Sequence, residues 1–413
     1  MDGADLTEIA TLYGTPLLVT SEKRLIDNYR RFNSAFREHY TDTAINYAIK
    51  ANPNPSIISV LAKEGAGADA SSSAEIEFAR RAGIKRERIL FSPNYASVGE
   101  LKYALDRRIA INFDDIGQFE GLARHGVPEL VSFRLNPGFG AGSFPGIITA
   151  GPGAKFGIPS GHIERAYKIA LAAGAEKFGM HVMAGSNVLD SRFFAAITSR
   201  TMDVAGSISK RLGIGFEFID IGGGFGVPYG QDEKPLDIRR VAGGVTGAFK
   251  NKCSEYGIGS PQLMLEPGRY LVADTTVLLG TVNHVKRYSR TFIGTDIGMN
   301  VNIRPALYNA YHRVAIANKM GNRATEKADV TGQICENSDI IARGRELPRA
   351  ESGDVIAMFD AGAYVYSMSS QYNSRPRPAE VLIKDNGDVK LIRRRETLKD
   401  LVATLSTADN SNI

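Results

Sequence analysis

Lys50 closes a short apolar run: it follows Tyr47-Ala48-Ile49 and precedes Ala51-Asn52-Pro53. A lysine at the end of a buried strand offers an amine that can condense with a carbonyl, whether of a substrate or of a cofactor. Gly222-Gly223-Gly224 directly follows the strand-like run Phe216–Ile221. Amides freed of side chains can cradle a phosphate, although a tight strand-to-helix turn explains the triplet equally well. The spacing is not a P-loop, because no Gly-Lys-Ser/Thr follows, and it is not GxGxxG. Glu266-Pro267-Gly268-Arg269 ends a further apolar run, Gln262–Glu266. A carboxylate there can keep a pyridine nitrogen protonated, and the arginine can grip a phosphate or carboxylate with two prongs. One structural Glu–Arg pair is the plainer alternative. Lysine, glycine triplet and acid–arginine pair together make a pyridoxal 5'-phosphate (PLP) site the economical reading.

These residues need a scaffold that brings strand ends together. Strand-like runs occur at Ile45–Lys50, Gly67–Ser71, Arg88–Ser92, Ala110–Phe113, Val131–Asn136, Phe178–Met183, Phe216–Ile221 and Gln262–Glu266. Helix-like segments lie between them, including Pro55–Gly65, Ser73–Ala82, Gly161–Ala173, Ser191–Leu212 and Arg239–Tyr256. The longest carry apolar residues at spacings of three and four. Strands alternating with helices imply a parallel sheet, and eight such units predict an α/β fold of the (β/α)8, TIM-like kind. Chemistry in such a barrel sits at the C-terminal strand ends. Those ends are Lys50, Asp69, Ser92, Asp114, Arg134, His181 to Ser186, Gly222 to Gly224 and Glu266 to Arg269.

After about residue 272 the texture turns β-rich, with Val272–Val285, Thr291–Asp296, Asp354–Asp360, Glu380–Ile383 and Val389–Ile392 separated by Gly/Asp/Asn turns. Glu346–Pro348 with Gly353-Asp354 resembles a hairpin approach, and Asp385-Asn386-Gly387-Asp388 is a hairpin turn signal. The expected division is a PLP-binding barrel over residues 22–271 and a β-barrel or sandwich domain from residues 1–21 and 272–413, with Pro16–Thr20 as its N-terminal strand. The polar tail Ser406–Ile413 is expected to be mobile.

Composition removes other classes. The chain has 413 residues, 43% hydrophobic and 23% charged, an ordinary globular balance. It contains no apolar run long enough for a membrane span. MDGADLTEIATLYG carries acids where an export signal needs a basic region, so a cytoplasmic location is expected. Two cysteines, Cys253 and Cys335, make neither a disulfide framework nor a cysteine zinc site, and no metal is expected. The net charge of +5 comes from short basic clusters interrupted or flanked by acids and lacking interleaved aromatics, so neither nucleic acid nor membrane is expected as a partner.

Tyr47-Ala48-Ile49-Lys50-Ala51-Asn52, Gly222–Tyr229, Glu266–Tyr270, Arg304–Tyr308, Cys335-Glu336, Asp360–Tyr364 and Tyr372–Pro376 closely resemble the motifs of the alanine racemase-like, fold type III PLP decarboxylases. The resemblance runs from about residue 15 to 405 and is strongest to the members that act on diaminopimelate. It implies decarboxylation of meso-2,6-diaminopimelate to L-lysine by a homodimer with shared active sites. It also implies roles. Lys50 would hold PLP as a Schiff base, with Asp69 near it. Gly222, Gly223, Gly224, Ser186 and Arg269 would hold the phosphate, helped by Tyr364, and Glu266 would pair with the pyridine nitrogen. Arg269, Arg304 and Tyr308, with Tyr364 beside them, would bind the substrate. Cys335 would come from the partner subunit as proton donor, with Glu336 gripping the distal ammonium. Arg304 and Tyr308 would share one helical face.

One departure stands out. The family usually carries a histidine two positions after His181, stacked on the cofactor ring, and here Met183 stands there. A thioether packs against an aromatic ring with about 0.3–1.5 kcal/mol but lacks the imidazole's polar contacts, which leaves His181 as a wall or support residue. The same departure keeps open a sister decarboxylase acting on D-lysine, D-ornithine, carboxynorspermidine or a specialised amino acid. A PLP-binding homologue without turnover is the non-enzymatic alternative.

Overall fold

The computed structural model describes residues 1–406, so the tail expected to be mobile lies outside the described residues apart from Ser406. The chain divides into two compact units. One comprises residues 26–228 and 234–271, the other residues 1–25, 229–233 and the described residues from 272 onward.

The first unit is a closed barrel of eight parallel strands: Thr43–Ala48, Gly67–Ala70, Ile89–Phe91, Ala110–Phe113, Leu130–Asn136, Lys177–Val182, Phe218–Asp220 and Gln262–Leu265. The last strand pairs with the first, placing Leu263 against Thr43 and Leu265 against Ile45, which closes the ring. These are the eight runs expected from the sequence, none shifted by more than two residues at either end. Each is short and apolar because both faces are buried, one in the barrel and one under helices. Helix starts are set by local chemistry. Asn54 accepts the amide of Ser56 ahead of a helix-opening proline, Ser72 accepts that of Glu75, and Asp190 accepts that of Arg192. The two longest helices, Ser191–Leu212 and Ile238–Tyr256, both end at a glycine in the left-handed region, Gly213 and Gly257. Aromatic side chains fill the shell around the strands. Phe194 stacks on Phe225 at 4.5 Å, and Phe113, Phe119, Phe133 and Tyr167 interlock edge to face or tilted.

The second unit is a nine-stranded sheet. Its central strand, Thr276–Arg287, pairs antiparallel with the N-terminal strand Leu17–Ser21, which in turn runs parallel to Ala379–Ile383. Leu17–Ser21 is buried throughout. Leu17 and Val19 pack with Leu279 and Val381 on one face, and Leu18 packs with Leu278 and Met358 on the other. The turn 385–388 joins Ala379–Ile383 to Val389–Arg393 as an antiparallel hairpin.

Two local expectations are corrected. The strand expected from residue 272 begins at Thr276, because helical turns occupy Arg269–Val272 and Ala273–Thr275. The hairpin expected across residues 346–354 is not formed. Ile340–Leu347 pairs with Glu326–Thr331, while Val355–Met358 pairs with Thr276–Arg287 and Val314–Ile316. Among the described residues no helix is long and apolar enough to cross a membrane.

Candidate active site

The C-terminal ends of the barrel strands form one mouth, and the ionisable residues there come in pairs. Lys50 sits in a single helical turn, Ile49–Ala51, directly after the first strand. Its Nζ lies 2.6 Å from Oδ2 of Asp69, the next-to-last residue of the neighbouring strand. Asp69 is wholly buried, whereas 39% of the Lys50 side chain is exposed. The amine is therefore both anchored and accessible. Burial and the charge of Glu266 push the Asp69 carboxyl above its ordinary range, against the pull of Lys50.

Glu266 follows the eighth strand and is buried beside His181, with Nε2 to Oε2 at 3.1 Å. A carboxylate can only accept, so the imidazole Nε2 carries the hydrogen. Burial opposes the Glu266 charge, but the adjacent His181, then Lys50 and Arg134, outweigh it and hold the carboxyl below its ordinary range. His181 is thus turned toward the acid.

Backbone packing welds these pairs to the glycine triplet. Gly222 and Gly224 have φ of +72° and +92°. A side chain on Gly222, Gly223 or Gly224 would strike Val182 O, Glu266 O or Gly185 O at 2.3, 2.3 and 2.6 Å. The run therefore threads between the sixth and eighth strand ends with no room for a Cβ. The segment Gly185-Ser186, which brings Ser186, touches Gly224. Met183 lies here too, its sulfur accepting the amide of Gly223 at 3.2 Å. Gly268 packs on Ala48 and Ala51, so the Glu266–Arg269 segment abuts the turn that carries Lys50.

The structure also gathers residues that sequence reading noted only as strand ends or passed over. Arg134 is buried over the Phe156 ring, near Asp114 and within 3.5 Å of the Met183 carbonyl. Asp220, wholly buried, accepts the amide of Gly222. Its only sequence signal is an acid inside an apolar strand immediately before the glycines.

The remaining candidates lie in the sheet unit. Arg304 and Tyr308 open and close one short helix. Arg304 is buried over the ring of Tyr229 and bonded to His312, a partner with no signal in the sequence. Cys335 and Glu336 are exposed on the loop that precedes Ile340–Leu347. The buried Asp339 pins that loop by accepting the amides of Met299 and Ile334, and Glu336 accepts the hydroxyl hydrogen of Tyr372 at 2.7 Å. Tyr364 is half-buried with φ of +63°.

The barrel mouth fits PLP on its own chemistry. Among the described residues, Oε1 of Glu266, Nδ1 of His181 and Oδ1 of Asp69 are buried without a hydrogen-bond partner. Unpaired buried polar atoms are costly, and a polar ring seated there would satisfy some of them. The glycine run offers backbone amides where nothing larger than hydrogen fits. By contrast, a cavity of about 460 Å3 at the opposite strand ends, bordered by Tyr29, Arg37, Asn46, Arg88 and Gln262, touches none of these groups.

Comparison with known proteins agrees with this chemistry. The family described as pyridoxal-dependent decarboxylase, pyridoxal binding domain, matches residues 23–273. A protein named diaminopimelate decarboxylase from Methanothermobacter thermautotrophicus is 45% identical over 401 residues, covering 97% of this chain and 94% of that protein. One of the same name from Thermoplasma acidophilum is 45% identical over 406 residues, covering 98% and 96%. The crystal structure of diaminopimelate decarboxylase from M. jannaschii in complex with L-lysine superposes with a TM-score of 0.90 at 35% identity, covering 100% of this chain and 96% of that one. The chain belongs to the pyridoxal-dependent decarboxylases.

Proposed function

We propose that the protein decarboxylates meso-2,6-diaminopimelate to L-lysine and CO2, as a cytoplasmic homodimer that binds PLP at the barrel mouth. The observation that carries this reading is the meeting of the Lys50–Asp69 pair, the His181–Glu266 pair and the glycine triplet at one set of strand ends. Full-length similarity to proteins named for that substrate supports the choice of substrate.

When bound, PLP supplies the electron sink for the pair left behind as CO2 departs. The chain supplies everything else. Lys50 is the amine that holds the cofactor, kept in place by Asp69. Glu266 keeps a proton on the ring nitrogen, and His181 orients Glu266. The amides of Gly222, Gly223 and Gly224, with Ser186, Arg269 and Tyr364, take the phosphate. Met183 packs against the ring face in place of an imidazole. Arg269, Arg304 and Tyr308 bind a substrate carboxylate, with Tyr364 beside them. Cys335 of the partner subunit returns a proton to the carbon that lost CO2, and Glu336 of the partner subunit takes the distal ammonium.

The test is CO2 release by the PLP-loaded protein from equal concentrations of meso-diaminopimelate, L-lysine, L-ornithine, D-lysine and carboxynorspermidine. A strong preference for meso-diaminopimelate with L-lysine as product is expected, and Lys50→Ala should abolish it. Release from another substrate alone overturns the substrate. Silence on all five with PLP bound overturns the proposed turnover.

A further inference from the structure

Asp220 ends the seventh barrel strand, is wholly buried, and is used by none of the roles above. Its Oδ1 accepts the Gly222 amide at 2.8 Å, while its Oδ2 is buried with no donor among the described residues. Oε1 of Glu266 is in the same condition. The two carboxyls and the His181 ring each offer an atom to one cluster in which all three lie within 4.8 Å of one another. Two ionised carboxylates so close and so far from water repel strongly, and neither can donate to the other. His181 does not relieve the conflict, because its Nε2 hydrogen is already given to Oε2 of Glu266. A single proton does, since it turns one of the two neighbouring carboxyls into a donor toward the other.

The surroundings decide which carboxyl carries it. His181, Lys50 and Arg134 favour negative charge on Glu266. Around Asp220, burial and the charges of Glu266 and Asp69 disfavour ionisation, and the Gly222 amide opposes them.

We propose that Asp220 is a proton-bearing positioning residue whose neutral carboxyl accepts from the Gly222 amide with one oxygen and donates from the other to Glu266. One side chain then fixes both the glycine turn that faces the phosphate and the acid that faces the ring nitrogen. Glu266 Oε1 has two lone pairs, so it can accept from Asp220 and from a pyridinium together. The inference rests on the proposed PLP site for its functional meaning, but the proton itself is a property of the chain.

Infrared difference spectroscopy of the holoenzyme, wild type minus Asp220→Asn, tests the proton directly. A protonated-carboxyl C=O band, sensitive to deuterium exchange and lost in the variant, is expected. Absence of that band, or its persistence in Asp220→Asn, overturns the proposal. Asparagine keeps both the acceptor and a neutral donor, so cofactor dissociation from Asp220→Asn should stay within about threefold of wild type. Asp220→Ala should weaken it at least about tenfold. An asparagine variant as damaged as the alanine one overturns the proposal, and the infrared arm stands even where Asp220→Ala fails to fold. Glu266→Gln separates the two readings. Unchanged cofactor affinity and absorbance there overturn the assignment of Glu266 to the ring nitrogen and leave the Asp220 proton standing.

Discussion

His312 illustrates what one buried side chain can fix. Its Nδ1 is 3.0 Å from the carbonyl of Phe359, an acceptor only, so Nδ1 carries the hydrogen and Nε2 is bare. That bare nitrogen lies 2.7 Å from Nη1 of Arg304 and accepts from it. The Tyr229 ring lies against both side chains. If Arg304 binds a substrate carboxylate, His312 sets the aim of its guanidinium. His312→Phe fills the space but offers no acceptor, so KM should rise about tenfold with kcat nearly unchanged, as expected for lost binding shared by ground and transition states. Steady-state kinetics decide it, with Arg304→Ala as reference. An unchanged KM for His312→Phe beside a raised one for Arg304→Ala removes His312 from the site. Lys50 and Glu266 were legible in the sequence because each ends an apolar run, where a charge needs a reason. His312 and Asp220 were not, since their meaning lies in partners 8 and 46 residues away, at Arg304 and Glu266.

At the scale of elements, the same substitution should act in opposite directions at two glycines. A Cβ on Gly223 would sit 2.3 Å from the Glu266 carbonyl, which is backbone and cannot swing aside. Gly223→Ala should therefore displace the end of the eighth strand and weaken cofactor binding at least about tenfold. Gly243 lies exposed inside the helix Ile238–Tyr256, and a Cβ there meets nothing within 4 Å. Gly243→Ala should raise stability by about 0.5–1 kcal/mol and leave the cofactor alone. Cofactor titration and thermal melting of both variants check the pair, and a Gly223→Ala protein that binds PLP normally would refute the close threading. The barrel strands could be read from the sequence because burial on both faces makes them continuous apolar runs. Val314–Ile316, Glu326–Thr331 and Ile340–Leu347 escaped because they are short or carry charges such as Glu326, Lys327, Arg343 and Arg345, and because their pairing is fixed by distant chain. The false hairpin at 346–354 has the same origin: turn residues mark where a strand ends, not which strand it meets.

At the scale of the whole molecule, the two cysteines differ in kind. Burial pushes the Cys253 thiol up to about 11, which makes it a reluctant proton donor near neutral pH. Cys335 is exposed on a loop whose backbone Asp339 holds firmly, with Glu336 beside it. A proton donor on an exposed surface needs a second surface to work against, and the proposed homodimer provides one. In a two-fold dimer every site would take Lys50 from one chain and Cys335 from the other. Lys50→Ala and Cys335→Ala homodimers should each be nearly inactive. Mixing equal amounts under conditions that exchange subunits makes about half the dimers hybrid, and each hybrid then holds one site with both lesions and one with neither. Activity should return to about one quarter of wild type. If Lys50 and Cys335 served the same site from the same chain, both sites of every hybrid would stay broken and mixing would restore nothing. Exchange is verified independently with differently tagged chains, so a silent mixture containing hybrids would exclude the shared site.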